Sequence, residues 1–472
     1  MINKTSIVST LGPASASREV ILQLVAAGVS TFRLNFSHGT FDDHRSILGH
    51  INELRGTLPF TISVMGDLCG PKIRTGLIET GTVLAENSTV SIAVGDAIGN
   101  TETFSTGFAD LIKEVQIGER ILIDDGQLVL NVAEKTADRL ICKVVVGGPL
   151  SSHKGMNLPD TQLSVPAITK KDWQCVDWAI ANELDFLSLS FVQRAEEIIS
   201  LKDHIKGKDS NIQVIAKIEK PLAVDNIESI IHAADAIMVA RGDLGVEMDL
   251  AEVPLVQKKI TALCRRFAKP VIVATQVLQS MIENASPTRA EATDISNAVM
   301  EHADAIMLSG ETAIGKYPTA AVKTLAHICQ TTETYVDELN EPRLRMDIIP
   351  ELRQAEALAR SMAHMLDEVK AAFVVVWAEN ESICRLLSKA RIDIPILSLC
   401  PDEVIARQLS LCYGVISRHQ PEMSSYEQWV DVVEKIVREN NWAGTGEKLL
   451  MIPPLSVLSK NTAGAIILHT IA

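Results

Sequence analysis

The sequence predicts an α/β protein: a closed (β/α)8 barrel with an antiparallel β-barrel domain inserted into it and a three-layer α/β domain after it. Three observations carry this. Eight short apolar runs recur with helical patterns between them; strands alternating with helices imply a parallel sheet, and eight such units imply closure. More than a hundred residues of a different texture separate the third run from the fourth. Past a polar segment with two prolines, Asn340 to Pro350, the alternation restarts.

In order, the runs are Ser6 to Leu11, Thr31 to Ser37, Thr61 to Leu68, Phe186 to Val192, Gln213 to Glu219, Ala236 to Arg241, Val271 to Gln276 and Ala305 to Ser309. Each has strand length, whereas the longer segments with helical periodicity read as helices. Those are Arg18 to Ala27, Asp42 to Leu54, Lys171 to Ala181, Ala195 to Ile205, Val224 to His232, Leu255 to Phe267, Arg289 to Glu301 and Thr319 to Leu339. In the long gap, Thr82 to Ala97 and Arg120 to Val146 alternate apolar and polar residues around an Asp124-Asp125-Gly126 turn, the pattern of antiparallel strands. A connection of that length with strands of its own is a domain. The barrel is therefore assigned residues 1–70 and 166–339, the insert 71–165, and the last domain 340–472. In the last domain, helices are predicted at Arg353 to Val369, Ser382 to Ala390, Glu403 to Leu411 and Glu427 to Glu439. Strands are predicted at Ala372 to Trp377, Ile394 to Leu399, near Lys448 to Ile452 and at Ala465 to His469.

Composition narrows the function. The 472 residues carry 44 basic and 59 acidic side chains, a net charge of −15, with 4% aromatics. Such a chain repels nucleic acid and anionic lipid unless it has a strong basic patch, and none is visible. The N-terminus has no signal-peptide pattern and no run approaches the length of a membrane span, so a cytoplasmic protein is expected. The eight cysteines are scattered without C-x-x-C spacing, which points to free thiols in a reducing compartment.

Catalytic residues of a (β/α)8 barrel gather where its strands end. Here seven of the eight ends are polar: Thr10; Arg33, Asn35 and Ser37; Asp67; Lys217 and Glu219; Arg241 and Asp243; Thr275 and Gln276; Ser309 and Glu311. Lys217 and Glu219 lie two apart and so share a strand face. A core that polar needs a ligand or metal. Glu219 and Asp243 are hard oxygen donors suited to Mg2+ that keeps waters and binds substrate oxygens. The backbone N–H groups of Gly242 and Asp243, with the Thr275 hydroxyl, suit an anion. Arg33, Arg74 and Lys217 supply positive charge for a phosphoryl group in transfer.

These residues lie in long motifs that resemble pyruvate kinase: S-T-L-G-P-A-S (Ser9 to Ser15), R-L-N-F-S-H-G (Arg33 to Gly39), G-P-K-I-R-T-G (Gly70 to Gly76) and S-H-K-G-M-N-L-P (Ser152 to Pro159). They continue with A-K-I-E (Ala216 to Glu219), M-V-A-R-G-D-L-G-V-E (Met238 to Glu247), A-T-Q-V-L-Q-S-M (Ala274 to Met281), P-T-R-A-E (Pro287 to Glu291) and L-S-G-E-T-A (Leu308 to Ala313). The resemblance implies transfer of a phosphoryl group from phosphoenolpyruvate to ADP, giving pyruvate and ATP, in a homotetramer. It implies that Lys217 stabilises the phosphoryl group and enolate, and that Glu219 and Asp243 hold Mg2+ or Mn2+. Gly242, Asp243 and Thr275 would then hold the substrate carboxylate and Arg33 its phosphate. Thr10, Asn35, Ser37, His38, Arg74 and Lys154 would surround the nucleotide phosphates, and Ser309 and Thr275 would lie on the side from which the enolate is protonated. A metal-dependent lyase or aldolase on the same barrel is the alternative; the insert with Lys154, and Arg74, favour the kinase.

The chain departs from the family in three respects that bear on ions and effectors, the first being Leu68 where a threonine is common. The monovalent-cation site resembles Asn35, Ser37, Asp67 and the Leu68 carbonyl, but Lys72 stands where potassium-dependent members usually carry glutamate, so weak or absent potassium dependence is expected. The effector loop Ala378 to Ser382 reads A-E-N-E-S. Glu379 and Glu381 would repel a phosphate, which argues against fructose 1,6-bisphosphate and leaves another anionic effector. Lys389, Arg385 and Arg391, the cations nearby, are expected on a solvated helix face.

Overall fold

A computed structural model describes residues 3–161, 165–339, 349–350, 353–457 and 465–472. Of the boundary segment Asn340 to Pro350, only residues 349 and 350 are among them. Eight strands close into an all-parallel barrel: Ser6–Thr10, Val29–Asn35, Ser63–Asp67, Phe186–Leu189, Gln213–Ile218, Ala236–Ala240, Val271–Ala274 and Ala305–Leu308. Most stop one or two residues before the sequence pattern does, so several polar end residues sit in the loops just beyond. The predicted helix over Val224 to His232 begins earlier, at Pro221, and is broken in two at Asn226, whose side-chain amide instead donates to the Gln193 carbonyl.

Three aspartates repeat one device at the N-terminal rim. Asp185, Asp235 and Asp304 each precede a strand and accept from the backbone N–H of Val64, Val214 and Val271 on neighbouring strands, at 2.8, 2.9 and 2.8 Å. Each also meets a cation. Arg55 and Arg407 pair with Asp185, Lys202 with Asp235, and Lys389 and Arg391 with Asp304. Arg407, Lys389 and Arg391 come from the C-terminal domain, which thereby docks on this rim. Its Leu411 enters the barrel's interior beside Val8, Met65 and Phe186, and the Ser410 hydroxyl bonds that of Ser63 at 2.6 Å. With this end plugged, the C-terminal strand ends are left for chemistry.

The docking overturns the solvated-face expectation. Lys389 is 2% exposed against Asp304, Arg391 stacks 3.7 Å over the Tyr413 ring, and Arg385 bonds Gln213 and Glu381. The helix Ser382–Lys389 and the turn after it that holds Arg391 pack on the barrel rather than facing water. Removing one partner of a buried pair leaves an uncompensated charge. Asp304→Ala should therefore lower the unfolding free energy by about 3–5 kcal/mol, read as a drop in urea midpoint; an unchanged midpoint would contradict the pairing.

The insert holds a six-stranded sheet ordered Met156–Asn157, Arg120–Ile123, Leu128–Lys135, Arg139–Val146, Thr89–Val94, Thr103–Thr106, with a separate two-stranded pair. It is antiparallel except that Thr89–Val94 and Thr103–Thr106 run parallel, a correction to the wholly antiparallel expectation. Arg74 and Thr75 bridge Gly155 and Thr106 and so join the two edge strands, closing the sheet as the expected barrel requires. Among its described residues the C-terminal domain has five strands, ordered Val415–His419, Ile396–Cys400, Phe373–Trp377, Lys448–Ile452, Ile467–Thr470. The first was not foreseen. One apolar face packs Ala359, Met362, Leu386 and Leu387, and the other Trp429, Val433 and Val437, giving the three layers. All eight cysteines are free, and no helix of the described residues is long and apolar enough to cross a membrane.

Candidate active site

The fifth barrel strand points Ile215 and Lys217 to the barrel interior while Val214, Ala216 and Ile218 pack outward. Lys217 is 9% exposed and Glu219 2%. The Lys217 ammonium lies 2.8 Å from Glu219 Oε1 and 3.5 Å from Asp67 Oδ1, and donates to the Ser190 hydroxyl at 2.8 Å. Asp67 accepts from Arg33 Nε at 2.8 Å and from the Ser188 hydroxyl at 2.6 Å, and pairs with Arg33 Nη2 as well. Arg33 Nη1 donates to the Thr10 hydroxyl at 3.0 Å. Two cations and two carboxylates thus alternate across three strand ends, with hydroxyls from two more, Thr10 and Ser188 with Ser190, bonded to them.

Their protonation follows from this alternation. Burial raises the Asp67 pKa, but Lys217 and Arg33 more than offset it and hold the group at about 2. Burial pushes Lys217 down, while the Asp67 and Glu219 carboxylates lift it above the ordinary lysine value. For Glu219, burial and the charge of Asp243 outweigh Lys217 and raise the pKa, so it is the least compensated charge of the set. A divalent cation would relieve it, and the donors are oxygens only, which fits Mg2+ or Mn2+. Among the described residues, no three or more His, Cys, Asp or Glu side chains group to hold a metal. An ion at Glu219 and Asp243 would have to share waters and substrate oxygens.

The depressed Asp67 value has a stability consequence. Because its folded pKa lies below the unfolded one, the contribution is present above about pH 4 and lost as pH falls through about 2, amounting to about 2 kcal/mol. Denaturant midpoints should fall with acid less steeply in Asp67→Asn than in the parent; identical slopes would contradict this.

Beyond the sixth strand the chain turns directly into a helix, Arg241–Glu247. Arg241 pairs with Asp294 at 2.7 Å and donates to the Thr275 and Gln276 carbonyls. Those two residues sit at φ 66° and 53°, and a left-handed β-branched threonine is strained. The Thr275 hydroxyl accepts from the Gly242 N–H at 2.7 Å. Glu311, 1% exposed, accepts from the Ser309 and Leu278 N–H groups and so ties the seventh strand end to the eighth.

A cleft of about 340 Å3 lies between barrel and insert, lined by Lys72, Arg74, Lys154, Asp243, Lys220 and Phe191 among others. It reaches the buried cluster through Asp243, Lys220 and Phe191, whose N–H donates to Glu219 Oε2 at 2.7 Å. Arg74 is exposed and bonds the His153 carbonyl, and Lys154 pairs with Asp124 at 2.9 Å. Asn35, Ser37 and His38 are not among the cleft-lining residues. Asn35 Oδ1 accepts from the Ser37 N–H, and His38 is exposed. Thr10 is 3% exposed and supports Arg33 from beneath, its own hydroxyl donating to the Leu308 carbonyl. Three of the four monovalent-cation candidates already have partners for their oxygens: Asn35, Asp67 and the Leu68 carbonyl. Asp67 is taken by Arg33, Ser188 and Lys217, and the Leu68 carbonyl accepts from Ser190 at 2.7 Å. Lys72 is exposed on the cleft.

The fourth strand end, which looked bare in the sequence, supplies Ser188, Ser190 and the Phe191 N–H. The signal was there: serines two apart share one face. Glu247 and Asn157, which also line the cleft with Lys220, lie inside two of the motifs above but were given no role there.

The family description "Pyruvate kinase, barrel domain" matches residues 2–322 and "Pyruvate kinase, alpha/beta domain" residues 356–463. A pyruvate kinase of Mycobacterium intracellulare is 40% identical over 469 residues, covering 98% of both chains. One from Geobacillus stearothermophilus is 38% identical over 93% of this chain and 75% of its own. A crystal structure of a pyruvate kinase from Cryptosporidium parvum superposes with a TM-score of 0.90 at 32% identity, covering 100% of this chain and 96% of the other. With the alternating charges at one mouth of the barrel and the domain order alike accounted for, this chain belongs to the pyruvate kinase family.

Proposed function

We propose that this chain is the phosphotransferase that moves the phosphoryl group of phosphoenolpyruvate to ADP, releasing pyruvate and ATP, in the cytoplasm. The single observation that carries the reading is the buried Lys217 ammonium shared by Glu219 and Asp67, which matches the need of this chemistry for placed charge and little else. Lys217 and Arg33 would face the transferring group, and Glu219 and Asp243 would hold the divalent ion, which supplies charge neutralisation between phosphate and enolate oxygens. Gly242, Asp243 and Thr275 would hold the carboxylate, the Gly242 N–H exchanging Thr275 for it, with Ser309 nearby for the proton. Arg74 and Lys154 would meet the nucleotide phosphates at the cleft; Asn35, Ser37, His38 and Thr10 would act from behind it. A lyase would leave Arg74 and Lys154 without a ligand, so the kinase reading is preferred. Residues 1–70 with 166–339 form the catalytic barrel, 71–165 the lid and 340–472 the regulatory domain of a homotetramer.

The test is pyruvate release from phosphoenolpyruvate with single omissions of ADP and of Mg2+. Activity lost on either omission supports the reading; pyruvate formed without ADP would favour the lyase. Potassium is expected to matter little, because Lys72 offers an ammonium at the cleft and three of the four candidate oxygens, those of Asn35, Asp67 and Leu68, already have partners. Activity in potassium-free buffer should nearly equal that with KCl; a steep rise on adding KCl would contradict it. Fructose 1,6-bisphosphate is not expected to activate, given Glu379 and Glu381, and another anionic effector is left to the C-terminal domain.

A further inference from the structure

Glu247 is the last residue of the helix that starts at the sixth strand end, four positions after Asp243 and so on the same helical face. It is 3% exposed. Its Oε1 accepts from the side-chain amide of Asn157 in the insert at 2.8 Å and lies 3.5 Å from the Lys220 ammonium. Its Oε2 is buried without a hydrogen-bond partner among the described residues. The insert touches the same helix again at the Asp124-Asp125-Gly126 turn, where a Cβ on Gly126 would lie 4.0 Å from Val246. Asn157 is itself fixed by strand pairing with Leu122, so moving it moves the insert's sheet.

We propose that Glu247 is a positioning residue that latches the insert shut over the cleft through Asn157, and so reports closure to the helix carrying Asp243. The inference rests on the phosphotransfer reading for its consequence, though not for the latch itself. A carboxylate buried between two domains and bonded by one amide makes a strong but single link, since hydrogen bonds to charged groups exceed neutral ones. No described residue satisfies Oε2, so among these residues the group is not a saturated structural pair. A latch of this kind shifts the closed population by roughly tenfold or more. Its loss should be felt by the ligand that needs the insert, ADP, more than by phosphoenolpyruvate.

The test uses dyes on Glu102→Cys and Lys259→Cys, exposed positions on insert and barrel, in a chain whose own cysteines are buried apart from the half-buried Cys69. Energy transfer in the ligand-free protein should show a new open population in Asn157→Ala and in Glu247→Ala. Glu247→Gln, which keeps an oxygen acceptor for Asn157, should retain closure. The double variant Asn157→Ala/Glu247→Ala should open no further than Glu247→Ala alone. KM for ADP should rise several-fold in both alanine variants while KM for phosphoenolpyruvate stays within about twofold. An unchanged distance distribution in Asn157→Ala, or additive opening in the double variant, would overturn the latch. A latch intact by energy transfer in a protein without transferase activity would instead count against the proposed function alone.

Discussion

Lys217→Ala is expected to lower kcat by roughly 10²–10³ or more, the scale of losing one preorganised donor to the transition state. Two properties make this the largest effect. The ammonium is buried, so its charge is little screened, and it is held by three partners, Glu219, Asp67 and Ser190, that fix its position before substrate arrives. The same arrangement predicts a second consequence. Without Lys217, Glu219 and Asp67 lose their shared counter-charge, and the already raised Glu219 pKa should climb further. Magnesium should therefore bind the variant less well at low pH than at high pH, because a protonated carboxyl is a poor ligand. A loss of only a few-fold in kcat would remove Lys217 from the mechanism.

Asp243→Asn is expected to raise the magnesium concentration for half-maximal activity by at least about tenfold, equivalent to about 1.4 kcal/mol of lost ion binding. Asp243 is only half-buried and begins a helix fixed independently by Arg241 and Asp294, so its replacement should spare the fold. The defect should shrink at high magnesium. If the variant instead lost activity equally at all magnesium concentrations, Asp243 would be acting on the substrate and not through the ion.

The barrel was legible in the sequence because apolar strand runs and amphipathic helices repeat, and each run carries its own signal. Lys217, Glu219, Asp67 and Arg33 were legible because polar side chains ending buried strands demand a reason. Other features were not legible, because they depend on what a residue meets across the fold. Lys389 and Arg385 sit on a helix whose pattern suits solvent, and Arg391 just past its end, yet Asp304 and Gln213 cover them from the barrel. Ser190 and Ser188 look like ordinary strand serines until Lys217 and Asp67 come alongside. The strand Val415–His419 is short and ends in Arg418 and His419, so its apolar signal is diluted. Thr103–Thr106 was missed because it pairs parallel with its predecessor through a tight excursion, where hairpin signals would not appear.

The central claim is that Glu219 and Asp243 hold one divalent ion against the substrate while Lys217 faces the group in transfer. Anomalous diffraction from a crystal grown with Mn2+ and oxalate, a stand-in for the pyruvate enolate, addresses it directly. The expected map has a single manganese peak within bonding distance of both carboxylates and of oxalate, with the Lys217 ammonium beside the oxalate oxygens. Manganese bound away from Glu219 and Asp243, or oxalate out of reach of Lys217, would contradict it.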